Sequence, residues 1–462
     1  MTRNHVAILA LTLAALTPTF RADEPLDPLD QWPQWRGPLA TGAAPRGNPP
    51  TEWAEDKNVR WKVALSGDGH STPIVWGDRV FLTTAIAYGD AVPVDEHDAG
   101  HHDEDPGAHD NVPSLRRQQF VVLAVDRRDG AIVWQRTVRD ERPHESTHQT
   151  GTWASNSALT DGERVYAFFG SRGLYALDFD GKVLWERDFG DMRTYHGHGE
   201  GSSPALHGDT LVVNWDHQGD SFIAALDKRT GAERWRTARD EITSWSTPLV
   251  VVYGGKTQVV VSATKRVRGY DLATGAELWQ VAGLSRNVVA SPVAADGLVI
   301  AGASYDWEAL LAVRLDAARG DVTGTDAVAW TRDRDAPYVP SPVLDGGALC
   351  FMKHNQGFLT CLAAKTGEPL FGPRRLPGIY NVFASPVAAA GRIYVLDRTG
   401  TAVVVQRDAP YEVMARNRLD DVFSASPAIA GDELFLRGQR HLYCLAEEPG
   451  KPASATPGTS GR

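Results

Sequence analysis

The chain has 462 residues, of which 42% are hydrophobic and 23% charged, with 44 glycines, 28 prolines and only three cysteines. Its formal charge of −11 argues against nucleic acid or an anionic membrane as partner. Beyond the first 22 residues no apolar run is long enough to span a bilayer.

In chain order, residues 1–22 carry Arg3 and His5, an apolar run from Val6 to Leu16, Pro18 and a small residue at Ala22. That order reads as a cleaved secretory signal, so the expected location is outside the cytoplasm, periplasmic or extracellular. No cysteine lies near the cleavage point, so a lipid anchor is not expected. Residues 23–57 are rich in Pro and Gly and read as a linker. Next comes Val59-Arg60-Trp61-Lys62-Val63, which resembles Glu277-Leu278-Trp279-Gln280-Val281 and directly precedes Thr72-Pro73.

From there a single phrase returns eight times: Ser-Pro-apolar, a strand, a Gly turn, a second strand, Ala-Leu-Asp, Thr-Gly and Trp. Copies begin at Thr72, Ser203, Thr247, Ser291, Ser341, Ser385 and Ser426, each followed by proline, and a degenerate copy at Ser157 lacks it. From Pro204 onward the proline spacings are 44, 44, 50, 44 and 41 residues. A period of that size, built of short alternating apolar runs, predicts an all-β fold: a single eight-bladed β-propeller of four-stranded antiparallel blades over residues 58–446. Proline lacks an N–H and suits the start of the innermost strand, A. In Asp271-Leu272-Ala273-Thr274-Gly275 the Asp and Thr side chains can cap a tight C–D turn. The tryptophans that follow such turns, Trp134, Trp185, Trp235 and Trp279, are expected to dock between neighbouring blades. The last unit lacks its fourth strand, which the Trp61 segment can supply, closing the ring. Residues 447–462 are low in complexity and read as a disordered tail.

Cys361 and Cys444 fall where other blades carry Ala124, Ala176 and Ala225, which fits small core residues. Cys350 and Cys361 also flank the turn at Asn355-Gln356 almost symmetrically, so a cross-strand disulfide stays open as an alternative.

The loops joining D to A and B to C share one face of such a ring. Of the thirteen histidines after the signal, only His207 falls in an A–B turn on the other face. Ligand-binding candidates on the His-rich face are His70, His148, Trp153, Asn156, His196, His198, Glu200, Trp245, Asn287, Tyr380 and Asn381. The first blade carries an insertion, 88–118, in which His97, His101, His102, Asp103 and His109 form a candidate metal cluster with affinity for zinc, nickel or copper, adventitious or otherwise. A solvated acidic loop is the competing reading.

The phrase of Ser-Pro, Ala-Leu-Asp, Thr-Gly and Trp resembles the pyrroloquinoline-quinone-like (PQQ-like) repeat, and Trp32-Pro33-Gln34-Trp35-Arg36-Gly37-Pro38 resembles the leader of exported propellers in that superfamily. The resemblance implies a quinoprotein alcohol dehydrogenase-like fold and two function classes. Quinone-dependent dehydrogenases of this type carry a vicinal cysteine pair and calcium with PQQ, and here no two cysteines are adjacent. The outer-membrane assembly, BamB-like proteins match in length and ring size and use no cofactor, but usually bear a lipobox cysteine that is absent here. The expectation is therefore an exported, non-catalytic monomer without a cofactor, binding a protein or small ligand through its His-rich face. A PQQ- and calcium-dependent oxidoreductase is the alternative.

Overall fold

The computed structural model describes residues 26–93 and 110–447. The expected signal, the candidate metal residues His97, His101, His102, Asp103 and His109, and all but the first residue of the tail lie outside that range.

Eight four-stranded antiparallel meanders form the ring. Their A strands are Ile74–Trp76, Leu159–Thr160, Ala205–His207, Leu249–Tyr253, Val293–Ala295, Val343–Asp345, Val387–Ala389 and Ala428–Ala430, defining blades 1 to 8. B and C strands are buried on both faces, as in Thr210–Trp215, and read as unbroken apolar runs. The outer D strands alternate, as in Glu233–Ala238, because only one of their faces packs on a neighbour. The described residues contain no α-helix.

Blade 8 takes its D strand from the N-terminal side: Val59–Ala64 pairs antiparallel with His441–Leu445, with Lys62 opposite Tyr443. The Trp61 ring packs on Gly130 of blade 1, and its indole N–H donates to the Arg127 carbonyl at 2.9 Å. The same device recurs around the ring. Trp134, Trp185, Trp235 and Trp330 donate to the carbonyls of Phe179, Lys228, Leu272 and Ala364, each in the next blade's C–D turn. The glycine of that turn lies beneath each ring, at Gly181, Gly231, Gly275 and Gly367, where a Cβ would come within 2.8 Å of the indole. Its positive φ and its missing side chain are both required. Asp271 caps its turn as expected, accepting from the N–H groups of Ala273 and Thr274.

Trp279 is buried between blades 4 and 5 as expected, in one core cluster with Val299, Val313 and Leu315, but its hydrogen bond differs. Its ring lies over Gly269 and its indole N–H donates to Gln258, both of its own blade. The longer C–D connection of blade 5 lays Gly320–Asp321 alongside Glu277–Val281 and so replaces the short turn that the other tryptophans meet.

The Ser of the Ser-Pro phrase stitches the inner ring. Each backbone N–H at this position donates to the hydroxyl of its counterpart in the next blade: Thr72 to Ser157, then Ser203, Thr247, Ser291, Ser341, Ser385 and Ser426, all at 2.8–3.0 Å. At the remaining junction, blade 8 to blade 1, the Thr72 hydroxyl has no hydrogen-bond partner. Arg437 bridges that seam instead, donating through Nη1 to the hydroxyl of Ser71 and to the Thr83 carbonyl at 2.6 Å.

The segment read as a linker is, from residue 26 on, part of the core. Trp32 is fully buried and exchanges backbone hydrogen bonds with Val75 of blade 1. Pro33 accepts from Thr160 of blade 2, Arg36 donates to Pro342 and Thr41 accepts from Leu344, both of blade 6. Ala43–Ala44 then adds a parallel strand inside Val387–Ala389 of blade 7. The segment thus crosses the central channel. Its Pro and Gly content reflects tight turns there, Arg36, Gly37, Ala40 and Gly42 all having positive φ.

Cys350 and Cys361 are opposite each other on adjacent strands and are disulfide-bonded, while Cys444 is a free, buried thiol.

Candidate functional site

The channel opens on the His-rich face as a cavity of about 480 Å³, with Trp35 of the crossing segment among its lining residues. D–A loops from all eight junctions reach it, from His70 through Ser157, Ser203, Thr247, Val289, Tyr338 and Phe383 to Ser424. Its wall has three sectors.

The first is polar and comes from blades 1 to 3. His148, His198, Glu200 and Asp110 line it. The His148 and His198 rings meet edge to face at 4.7 Å, and His196, buried behind them, lies 5.1 Å from His198. The far end of the blade 1 insertion is laid on this sector: Asn111–Val112 pairs with Thr147–His148, and the Asn111 side-chain amide donates to the His196 carbonyl at 2.5 Å. Behind it Glu200 accepts from the Ser171 N–H and hydroxyl, both at 2.6 Å, and burial holds its carboxyl above the usual range. Glu145 accepts from Thr194, yet burial outweighs those bonds and pushes its carboxyl up to about 8. Among the described residues no group of three or more His, Cys, Asp and Glu is arranged to hold a metal ion.

The second sector is aromatic and apolar: Trp245, Val289, Tyr305, Tyr338, Val339 and Phe383. The third is the seam, with His70, Ser424 and Ser426 on its surface. Burial, then Arg437 and Arg398, lower the His70 imidazole to about 3, so it is neutral at physiological pH.

Of the residues singled out from sequence, His70, His148, His198, Glu200 and Trp245 line the cavity. Trp153, Asn156, His196 and Asn287 stand one layer behind. Trp153 donates to the Glu145 carbonyl, Asn156 to that of Ser202, and Asn287 bonds the Tyr338 side chain from a positive-φ backbone. Tyr380 and Asn381 do not line the cavity. Both are exposed on the rim, their N–H groups turned to Asp397 at 2.8 and 2.7 Å.

Sequence reasoning missed Trp35, Phe383, Arg398 and Arg437. Trp35 belongs to the segment read as a linker. Arg437 had a signal: strand register places it with Thr83, Phe168, Asn214, Ser262, Gly302, Met352 and Leu396, and only blade 8 carries a charge there.

Similarity to known proteins follows the fold. No curated protein matches the chain. Among solved structures, BamB from Moraxella catarrhalis superposes with a TM-score of 0.50 at 14% identity, over 79% of this chain and 99% of that one. A europium-containing methanol dehydrogenase gives 0.59 at 10% identity, over 91% and 99%. The quinohemoprotein alcohol dehydrogenase ADHIIG from Pseudomonas putida HK5 gives 0.53 at 10%, over 92% and 82%. At these identities the likeness is one of fold. Residues 118–372, more than half of the chain, match the family model described as outer membrane protein assembly factor BamB, and the protein belongs to that family of PQQ-like β-propellers.

Proposed function

We propose that this protein is an exported, non-catalytic propeller that binds a small ligand in the funnel on its His-rich face. The observation that carries this reading is the cavity itself: about 480 Å³, reached by loops from every blade junction and crossed beneath by the segment that contains Trp35. That volume lies in the range of small-molecule sites, and an apolar wall facing a few convergent polar groups is their usual composition. The family's description as an assembly factor supports a binding role.

The competing reading is a quinone- and calcium-dependent oxidoreductase, favoured by the two dehydrogenase likenesses. The residues present do not fit that pair. Cys350 and Cys361 are bonded to each other inside blade 6 and do not line the cavity. Each Glu200 oxygen accepts a hydrogen bond from Ser171, and among the described residues no three His, Cys, Asp or Glu are arranged around a common cation position. The experiment that separates the readings is reconstitution of the purified protein with the quinone and calcium, followed by dye reduction over common alcohols and sugars. Absence of turnover, together with a featureless visible spectrum and no stoichiometric metal in the protein as isolated, is the expected result. Robust turnover overturns the proposal. Export is checked separately by the N-terminal sequence of the mature protein in the extracytoplasmic fraction.

A further inference from the structure

We propose that the funnel takes an uncharged saccharide, its hydroxyl edge set on a floor of serine and threonine hydroxyls and the C–H face of its ring against the aromatic wall. This names the ligand class of the funnel reading above and rests on it.

The floor is the inner ring of the stitch. Of the hydroxyls that accept an N–H from the preceding blade, those of Ser157, Ser203, Thr247, Ser385 and Ser426 belong to residues that line the cavity. None of the five donates to an acceptor among the described residues, so each keeps its proton and a lone pair for a bound molecule. The four serines among them are at most 7% exposed, and a hydroxyl so buried is costly to leave without a partner. Asn355 adds a second polar edge on the same cavity. Its carbonyl accepts from Val382, while its side-chain amide makes no hydrogen bond among the described residues.

The wall supplies the complementary surface. The Tyr305 and Tyr338 rings lie 5.7 Å apart, and Tyr338 is held from behind by stacking on His354 at 4.6 Å. The Trp245 indole N–H is spent on the Gly199 carbonyl at 2.7 Å, so what Trp245 offers a ligand is carbon surface. The electron-rich faces of such rings attract the polarised C–H groups on the flat side of a sugar. Charge then decides between ligand classes. No Lys or Arg lines the cavity among the described residues and His70 is neutral, so an oxyanion finds no fixed cation there. Glu200 is a poor counter-ion for a ligand cation, because its oxygens already accept from Ser171 and burial holds its carboxyl above the usual range. An anion only accepts hydrogen bonds and an ammonium only donates them. A sugar hydroxyl does both, as the floor does, and needs no counter-charge.

The test titrates the full-length protein by calorimetry with cellobiose, maltose, phenyl β-D-glucopyranoside, phenyl β-D-glucuronide and benzyltrimethylammonium. At least one of the three neutral sugars should bind at least tenfold more tightly than the glucuronide and the ammonium, which keep an aromatic group but carry a charge. Tyr305→Leu and Asn355→Ala should each weaken that sugar at least fivefold, with unfolding midpoints confirming the fold. Tyr380→Leu, on the rim outside the cavity, should leave its affinity unchanged. Equal or tighter binding of a charged probe overturns the saccharide site and leaves the funnel to another class of ligand. An unchanged affinity in either cavity variant, an equal loss in Tyr380→Leu, or binding of none of the five probes overturns it as well. The titrations contain no quinone, so the dye assay above tests the non-catalytic reading independently, and turnover there overturns that reading whatever the affinities.

Discussion

Ring closure through Trp61 can be measured. Its ring is 7% exposed, packs on Gly130, lies 6.0 Å from the Phe435 ring and donates one hydrogen bond across the blade junction. Removing a buried aromatic of this size costs about 3–5 kcal/mol, because the transfer free energy is lost and the cavity left behind collapses only in part. At roughly 4 kcal/mol the folded-to-unfolded ratio falls about a thousandfold. Trp134 supplies an internal standard, since it makes the same contact between blades 1 and 2 with no break in the chain between them. Trp61→Ala and Trp134→Ala, unfolded in guanidinium chloride beside wild type, should therefore lose comparable stability. Deletion of residues 58–65 should lose more, because it also frees the backbone edge of His441–Leu445. The reasoning is refuted if Trp61→Ala costs less than about 1 kcal/mol while Trp134→Ala costs several, or if the deletion leaves the midpoint unchanged.

Other consequences follow from single contacts. Ser341→Ala leaves the buried N–H of Ser291 without an acceptor and should cost about 1–3 kcal/mol, whereas Thr72→Val removes a hydroxyl with no partner and should be nearly neutral in the same unfolding assay. The Glu145 carboxyl, held at about 8 by burial with Glu200 and Arg172 nearby, binds its proton more tightly folded than unfolded. Stability from this group is complete below about pH 4.3 and declines as pH rises towards 8. Glu145→Gln should flatten that part of the stability profile, and an unchanged slope would show that the group is not protonated in the fold. Thiol titration of denatured, unreduced protein should count one cysteine, Cys444, and three after reduction; three before reduction would contradict the Cys350–Cys361 bond.

The architecture was legible because the repeat is a local code. Asp-x-x-Thr-Gly is a turn by its own side-chain hydrogen bonds, Gly is demanded by the indole above it, and both recur with the period of one blade. The missing last strand and its stand-in at Trp61 could be matched by the same code. The histidines and acids of blades 1 to 3 could be placed on one face by counting loops, which is how His148, His198 and Glu200 came to be named together. Tyr380 and Asn381 satisfy the same loop count, yet their backbone N–H groups are held by the buried Asp397 carboxylate and the residues themselves stay exposed, outside the cavity.

What the amino-acid order determined by itself was everything carried by short-range chemistry: strand and turn, the number of blades, and the face on which the loops emerge. Only the tertiary structure decided how the channel is filled. Residues 26–57 have the composition of a linker, but their backbone groups find partners on blades 1, 2, 6, 7 and 8, which are far apart in sequence and meet only once the ring has closed. Two buried charges were hidden for the same reason. Arg36 and Arg437 are unremarkable in a chain with 47 basic residues, and what sets them apart is burial with hydrogen bonds to carbonyl and hydroxyl oxygens only, a property of the closed ring that no local pattern encodes.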